Sequence, residues 1–115
     1  MSRARVFDAN AMEWSGHERF PGIRIKELET RATHPLADVL LVRLSPGGVI
    51  ETHIHEKETE TAYVLAGRGE LTAGADQIVF EPGTGASIPP GVPHRLQNTG
   101  DQALELIAIH TPPTR

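Results

Sequence analysis

The 115-residue sequence contains no cysteine, which removes disulfides, thiolate nucleophiles, iron–sulfur clusters and cysteine-based zinc sites from consideration. Any metal must then be held by nitrogen and oxygen. A basic excess is also missing: eleven Lys and Arg stand against fifteen Asp and Glu, for a formal net charge of −4. The arginines are scattered rather than gathered, so the electrostatic footprint of a nucleic-acid-binding surface is absent. No stretch approaches the ~18 apolar residues of a membrane-spanning helix, and the opening MSRARVFDANAMEWSGHERF lacks the apolar core of a signal peptide. The expectation is a cytoplasmic protein whose partners include neither nucleic acid nor membrane.

What the sequence does have is frequent punctuation. Eleven Gly and nine Pro recur between short apolar runs, and no segment keeps a helical period for three turns. With 38% hydrophobic and 23% charged residues, the chain has the balance of one ordinary globular domain spanning 1–115. IRIKELE at 23–29 alternates Ile23 and Ile25 against Arg24 and Lys26, predicting a strand with one wet face. DVLLVRL at 38–44 is apolar on both faces and belongs deep in a sheet. SPGG at 45–48 turns the chain into a charged segment. TAYVLAG at 61–67 reads as a strand that RG closes as a hairpin into ELTA, and GAD at 74–76 turns into QIVF. After the turn-rich EPGTGASIPPGVPH at 81–94, RLQ, a turn at NTGD and ALELIAIH at 103–110 supply the closing strands. Roughly eight to ten strands at this spacing predict an all-β barrel or jelly roll. Residues 1–22 are expected to pack as an extra strand or arm anchored by Trp14 and Phe20.

Chemistry concentrates in ETHIHEKETE at 51–60, with two histidines and four glutamates. In an extended chain His53 and His55 share a face about 6.6 Å apart, a spacing at which both can hold one ion. Strict alternation turns Glu56, Glu58 and Glu60 to the opposite face. A bend or bulge through Lys57 to Thr59 brings the first carboxylate of the next strand back towards the histidines, and the physics leaves Glu58 and Glu60 equally eligible.

The same segment resembles the first signature of the cupin superfamily: a glycine, five residues, H-x-H, three or four residues, a glutamate, six residues and a glycine. Gly47, His53, His55, Glu60 and Gly67 fill those positions. The second signature is a glycine, five residues, P-x-G, two residues, a histidine, three residues and an asparagine, and is filled by Gly83, Pro89, Gly91, His94 and Asn98. The two lie 15 residues apart, and residues 47–98 carry the resemblance. It implies a cupin-type double-stranded β-helix, a small single-domain cupin, and a complete ligand set of His53, His55, Glu60 and His94. It also implies a homodimer, in which the arm carrying Trp14 and Phe20 covers a sheet edge on the partner.

Three imidazoles and one carboxylate suit a divalent transition ion (Fe, Mn, Ni, Co, Zn or Cu) and suit Ca or Mg poorly. Such a set leaves a divalent ion with net positive charge and two octahedral positions open, for which a small, chelating, anionic ligand is the natural guest. The resemblance implies either a small metal-dependent enzyme of dioxygenase or isomerase/lyase type, or a non-catalytic binding module; no general base is assigned. PPGVPH stiffens the turn before His94. Gly47, Gly67 and Gly83 are expected in turns, and Asn98 as a turn-forming side chain. His17, His34 and His110 are expected at the rim or surface rather than as ligands, and Tyr63 and Arg43 in ordinary packing or a surface ion pair.

Overall fold

Period-two burial sorts the chain into two antiparallel sheets whose buried faces enclose one apolar core. The computed structural model describes residues 3–115. Among the described residues a single 3₁₀ turn (Ala9–Ala11), with the Asp8 carboxylate accepting from the Asn10 N–H, precedes the strands. These are β1 (Ser15–Gly16), β2 (Ile23–Glu29), β3 (Asp38–Leu44), β4 (Val49–His53), β5 (Thr59–Ala66), β6 (Gly69–Ala73), β7 (Asp76–Phe80), β8 (Gly85–Ile88), β9 (His94–Asn98) and β10 (Leu104–Thr111). One sheet runs β1-β2-β3-β10-β5-β8 and the other β4-β9-β6-β7. This is the all-β jelly-roll architecture that the spacing of turns predicts.

The alternation within β10 shows how the core is made. Leu104, Leu106 and Ala108 point inward and are buried, while Glu105, Ile107 and Ile109 face outward and are half-buried. They meet Ile23, Ile25, Leu40, Val42, Leu44, Val64, Leu71, Phe80 and Leu96 from the neighbouring strands in one continuous cluster. Each such side chain contributes about 1.5–3 kcal/mol by leaving water.

Three expectations need correction. TAYVLAG and ELTA do not form a hairpin: β5 pairs with β10 and β8, whereas β6 pairs with β7 and β9. The Gly67–Arg68 turn instead carries the chain from one sheet to the other. Gly67 has φ +85°, and a Cβ there would overlap the Ala103 carbonyl oxygen and come within 2.7 Å of Leu104 Cα, so a tight crossing replaces a hairpin. GAD does close a hairpin, with Ala73 opposite Asp76.

The second correction concerns the wet face of β2. Arg24 is exposed, but Lys26 is only 9% exposed. Its Nζ donates to the Ala9 carbonyl at 2.6 Å and lies 4.7 Å from the centre of the Trp14 ring. The N-terminal segment thus covers β2 of its own chain, with Ser15 opposite Ile25 and Phe20 buried in the core. Within the chain, Trp14 is half-buried against Lys26 and Arg43 and Phe20 is buried. Val39 and Leu41 of β3 are half-buried on the outer side, so β3 is interior to its sheet but fully covered on one face only.

Asn98, 2% exposed, ties the ends of β3 and β9 together. Its Nδ2 donates to the carbonyls of Leu44 at 3.0 Å and Gln102 at 2.8 Å, and its Oδ1 accepts from the Gly100 N–H at 2.9 Å. The last of these is the turn-forming bond expected of it.

Candidate metal centre

The four residues of the expected ligand set come together although they lie on three different parts of the chain. β4 ends at His53, and His55 lies in the bent segment that leads to β5, not on the strand as simple alternation would have it. Bends at Glu56 and Lys57 break the parity, and Glu60, the second residue of β5, turns back to the histidines. His94 opens β9 directly opposite His53. One ligating atom from each of His53, His55, Glu60 and His94 lies within 4.8 Å of every other. Glu58 lies outside that group, so the geometry agrees with the choice of Glu60.

Local structure aims these side chains. The His53 Nδ1 donates to the Glu51 carbonyl at 2.8 Å, and the His94 Nδ1 donates to the Val92 carbonyl at 3.0 Å. A carbonyl only accepts, so both rings carry their proton on Nδ1 and present Nε2 to the centre. The turn before His94 is held by the Gly91 N–H, which donates to the His55 carbonyl at 2.9 Å, with Gly91 at φ +83°. The loop that delivers one ligand is therefore pinned to the backbone of another.

The fit to a metal can be read from an orphaned atom. His94 Nε2 is buried without a hydrogen-bond partner, lying 3.6 Å from Glu60 Oε1. Buried imidazole nitrogens are rarely left so, and this one is directed at the point where three further donor atoms converge. The donor set fits a transition ion and fits Ca or Mg poorly.

Charge around the centre is arranged unevenly. Burial pushes His53 down to about 4, leaving it neutral near pH 7. Burial also works to lower His94, but the Glu60 carboxylate more than offsets it and the net shift is upward. Burial alone would raise Glu60; the imidazoles of His110, His55 and His94 hold it well below the ordinary carboxylate range instead.

His110 is the main residue that sequence reasoning misplaced. Expected at the rim or surface, it is 6% exposed and lines the same cavity as the quartet. Its Nε2 donates to Glu60 Oε1 at 2.8 Å and its Nδ1 donates to Asp38 Oδ1 at 2.6 Å. Burial alone would lower it, yet the Asp38 and Glu60 carboxylates lift it to about 9. A signal was present: His110 is in phase with Leu104, Leu106 and Ala108, the inward set of β10. It remains outside the converging group of four. His17 is half-buried and also lines the cavity, its Nδ1 accepting from the Arg19 and Phe20 N–H groups, and His34 caps a turn through the Leu36 and Ala37 N–H groups. Tyr63 is exposed on the outer face, and Arg43 pairs there with Glu105 at 3.4 Å.

The cavity measures ≈ 340 Å³. Away from the quartet its walls are largely apolar, with Leu40, Val42, Ile50, Leu71, Leu96 and Leu106 inside and Phe20 near His17, Arg19 and Arg115. The volume suits a small molecule.

Comparison with known proteins agrees with this architecture. The family model described as Cupin domain matches residues 40–110. The xanthan biosynthesis protein XanB of Xanthomonas campestris pv. campestris is 31% identical over 61% of this chain and 15% of its own length. An oxalate-binding protein of Thermotoga maritima is 31% identical over 59% of this chain and 56% of its own. The chain thus spans less than two thirds of the length of these relatives. Among solved structures, a predicted oxalate decarboxylase from Thermotoga maritima superposes with a TM-score of 0.86 at 24% identity, covering 94% of this chain and 99% of the other.

Proposed function

The chain belongs to the cupin family, and on that premise we propose that it is a metal-binding cupin acting on a small organic anion, through dioxygenase or isomerase/lyase chemistry. The observation that carries this reading is the convergence of four donor atoms within 4.8 Å at the wall of a cavity. In it His53, His55, Glu60 and His94 hold one divalent transition ion. When bound, the ion supplies Lewis-acid polarisation of a ligand oxygen or activation of water or O2. The chain's own residues do the rest. The Nδ1 bonds of His53 and His94 orient the ligating rings, Glu60 offsets part of the ion's charge, and the apolar walls exclude water around the bound anion.

A second reading, a non-catalytic module that binds or senses such an anion, is favoured by a specific observation. His110, the polar cavity residue nearest the quartet, has both ring nitrogens committed to carboxylates, so it offers no unengaged base beside the centre. The Thermotoga maritima relative named for oxalate binding points the same way.

Titration of metal-loaded protein with oxalate and with small keto acids, followed by calorimetry, O2 uptake and chromatographic analysis of products, separates the readings. Binding with turnover supports the enzyme, and binding without turnover supports the module. Metal uptake with no anion binding would contradict both.

A further inference from the structure

We propose that the Asp38–His110 pair is the positioning device of Glu60, fixing its carboxylate in a metal-binding orientation before an ion arrives. The proposal rests on the reading of the quartet as a metal site. Its foundation is one rung of the larger sheet: His110 of β10 lies opposite Asp38 of β3 on one side and opposite Glu60 of β5 on the other. Backbone pairing across three adjacent strands therefore sets the spacing of the three side chains, independently of any ion.

Asp38 and His110 are both saturated. Asp38 is 0% exposed; its Oδ1 accepts from His110 Nδ1, and its Oδ2 accepts from both the N–H and the hydroxyl of Thr114 at 2.7 Å. The carboxylate cannot rotate without breaking three bonds, and the imidazole it holds cannot turn. His110 Nε2 is thereby aimed at Glu60 Oε1, 2.8 Å away. An unanchored glutamate would lose rotamer freedom on ligating an ion; this one has lost it already. Because both His110 nitrogens are used, the ring acts through Glu60 rather than as a fifth ligand. Partners of this kind, one step behind a ligand, typically govern metal affinity by 10–100-fold.

The test compares metal-free wild type, His110→Leu, His110→Gln and Asp38→Asn, each titrated with Co²⁺ and followed by calorimetry and by the Co²⁺ absorption spectrum. His110→Leu is expected to weaken Co²⁺ binding by roughly 10–100-fold and to alter the absorption bands. His110→Gln, whose side-chain amide can still donate to Glu60, is expected to recover most of the loss. Asp38→Asn weakens binding in the same direction while leaving the imidazole in place. Folded His110→Leu with wild-type affinity and spectrum, or His110→Gln no better than His110→Leu, would overturn the proposal. If His110→Leu does not fold, unchanged affinity in Asp38→Asn would overturn it, and weakened affinity there would support it. Failure of wild type itself to take up metal would instead remove the reading of the quartet, and this proposal with it.

Discussion

His53 faces His94 across the antiparallel β4–β9 pair, with ring centroids 4.2 Å apart. The pairing is not regular: the register shifts between Ile50 and His53, a bulge that re-aims the end of β4. Together with the bends at Glu56 and Lys57, it lets an H-x-H pair, a glutamate five residues further on and a distant histidine meet at one point.

Glu60 is therefore distinguished from its neighbour by geometry rather than by charge. Glu60→Gln is expected to weaken binding of a divalent transition ion by at least 10-fold, whereas Glu58→Gln leaves it within about 2-fold. Calorimetric titration with Mn²⁺ or Co²⁺ checks this. Equal effects would undo the assignment of the carboxylate ligand.

The sheet crossing at Gly67 depends on the absence of a side chain. Gly67→Ala combines a positive φ with overlap against the backbone of Ala103 and Leu104, neither of which can yield as a flexible side chain would. A loss of about 2–4 kcal/mol is expected, read from urea midpoints. A loss under about 1 kcal/mol would mean that β5 and β6 can be joined less tightly.

His110 gives the metal-free protein a particular dependence on pH. Its folded pKa of about 9 stands above its ordinary value, so its contribution is fully present below about pH 6.5 and is lost as pH rises through 9. Asp38 and Glu60 are shifted downward, so their side of the same contacts is present above about pH 4 and is lost as pH falls through their folded values. The stability gap between wild type and His110→Gln, measured in chelator, should be widest near pH 6, on the order of 3 kcal/mol, and should close towards pH 10. The low value of His53 affects both proteins and cancels in the difference. A gap that does not change between pH 6 and 10 would contradict the charge assignment.

We propose a homodimer, through a surface other than the N-terminal arm. The arm packs on its own β2, but the outer face of the larger sheet leaves Tyr63 and Leu65 exposed beside the half-buried Val39, Leu41, Ile107 and Ile109. A contiguous apolar patch of this kind is a surface that a second copy can cover. Light scattering at micromolar concentration should give twice the mass of the chain, and Tyr63→Glu should lower it. A monomer for wild type would contradict the proposal.

Much of this was legible in the sequence where local rules governed it. The turns at Gly47, Gly83 and GAD follow from turn chemistry, and the strand at LELIAIH from its apolar run; the four converging residues were legible through the resemblance to the cupin signatures, since local alternation alone left Glu58 and Glu60 equally eligible and did not reach His94. Legibility failed where a tertiary relation decided. Gly67–Arg68 has the look of a hairpin turn because neighbouring strands usually pair, yet in a two-sheet fold the same turn serves to change sheets. Lys26 alternates as a solvent-facing residue should, and only the returning Ala9 and Trp14 bury it. Asp38 and His110 are 72 residues apart, so no local pattern could reveal that one rung joins them to Glu60.

The most direct test of the central claim is metal content, measured by elemental mass spectrometry on protein purified without a histidine tag or chelator. Wild type is expected to carry about one equivalent of a single transition metal, and His53→Ala and His94→Ala to carry almost none. Metal-free wild type that also refuses Fe²⁺, Mn²⁺, Co²⁺, Ni²⁺, Cu²⁺ and Zn²⁺ on reconstitution would contradict the account.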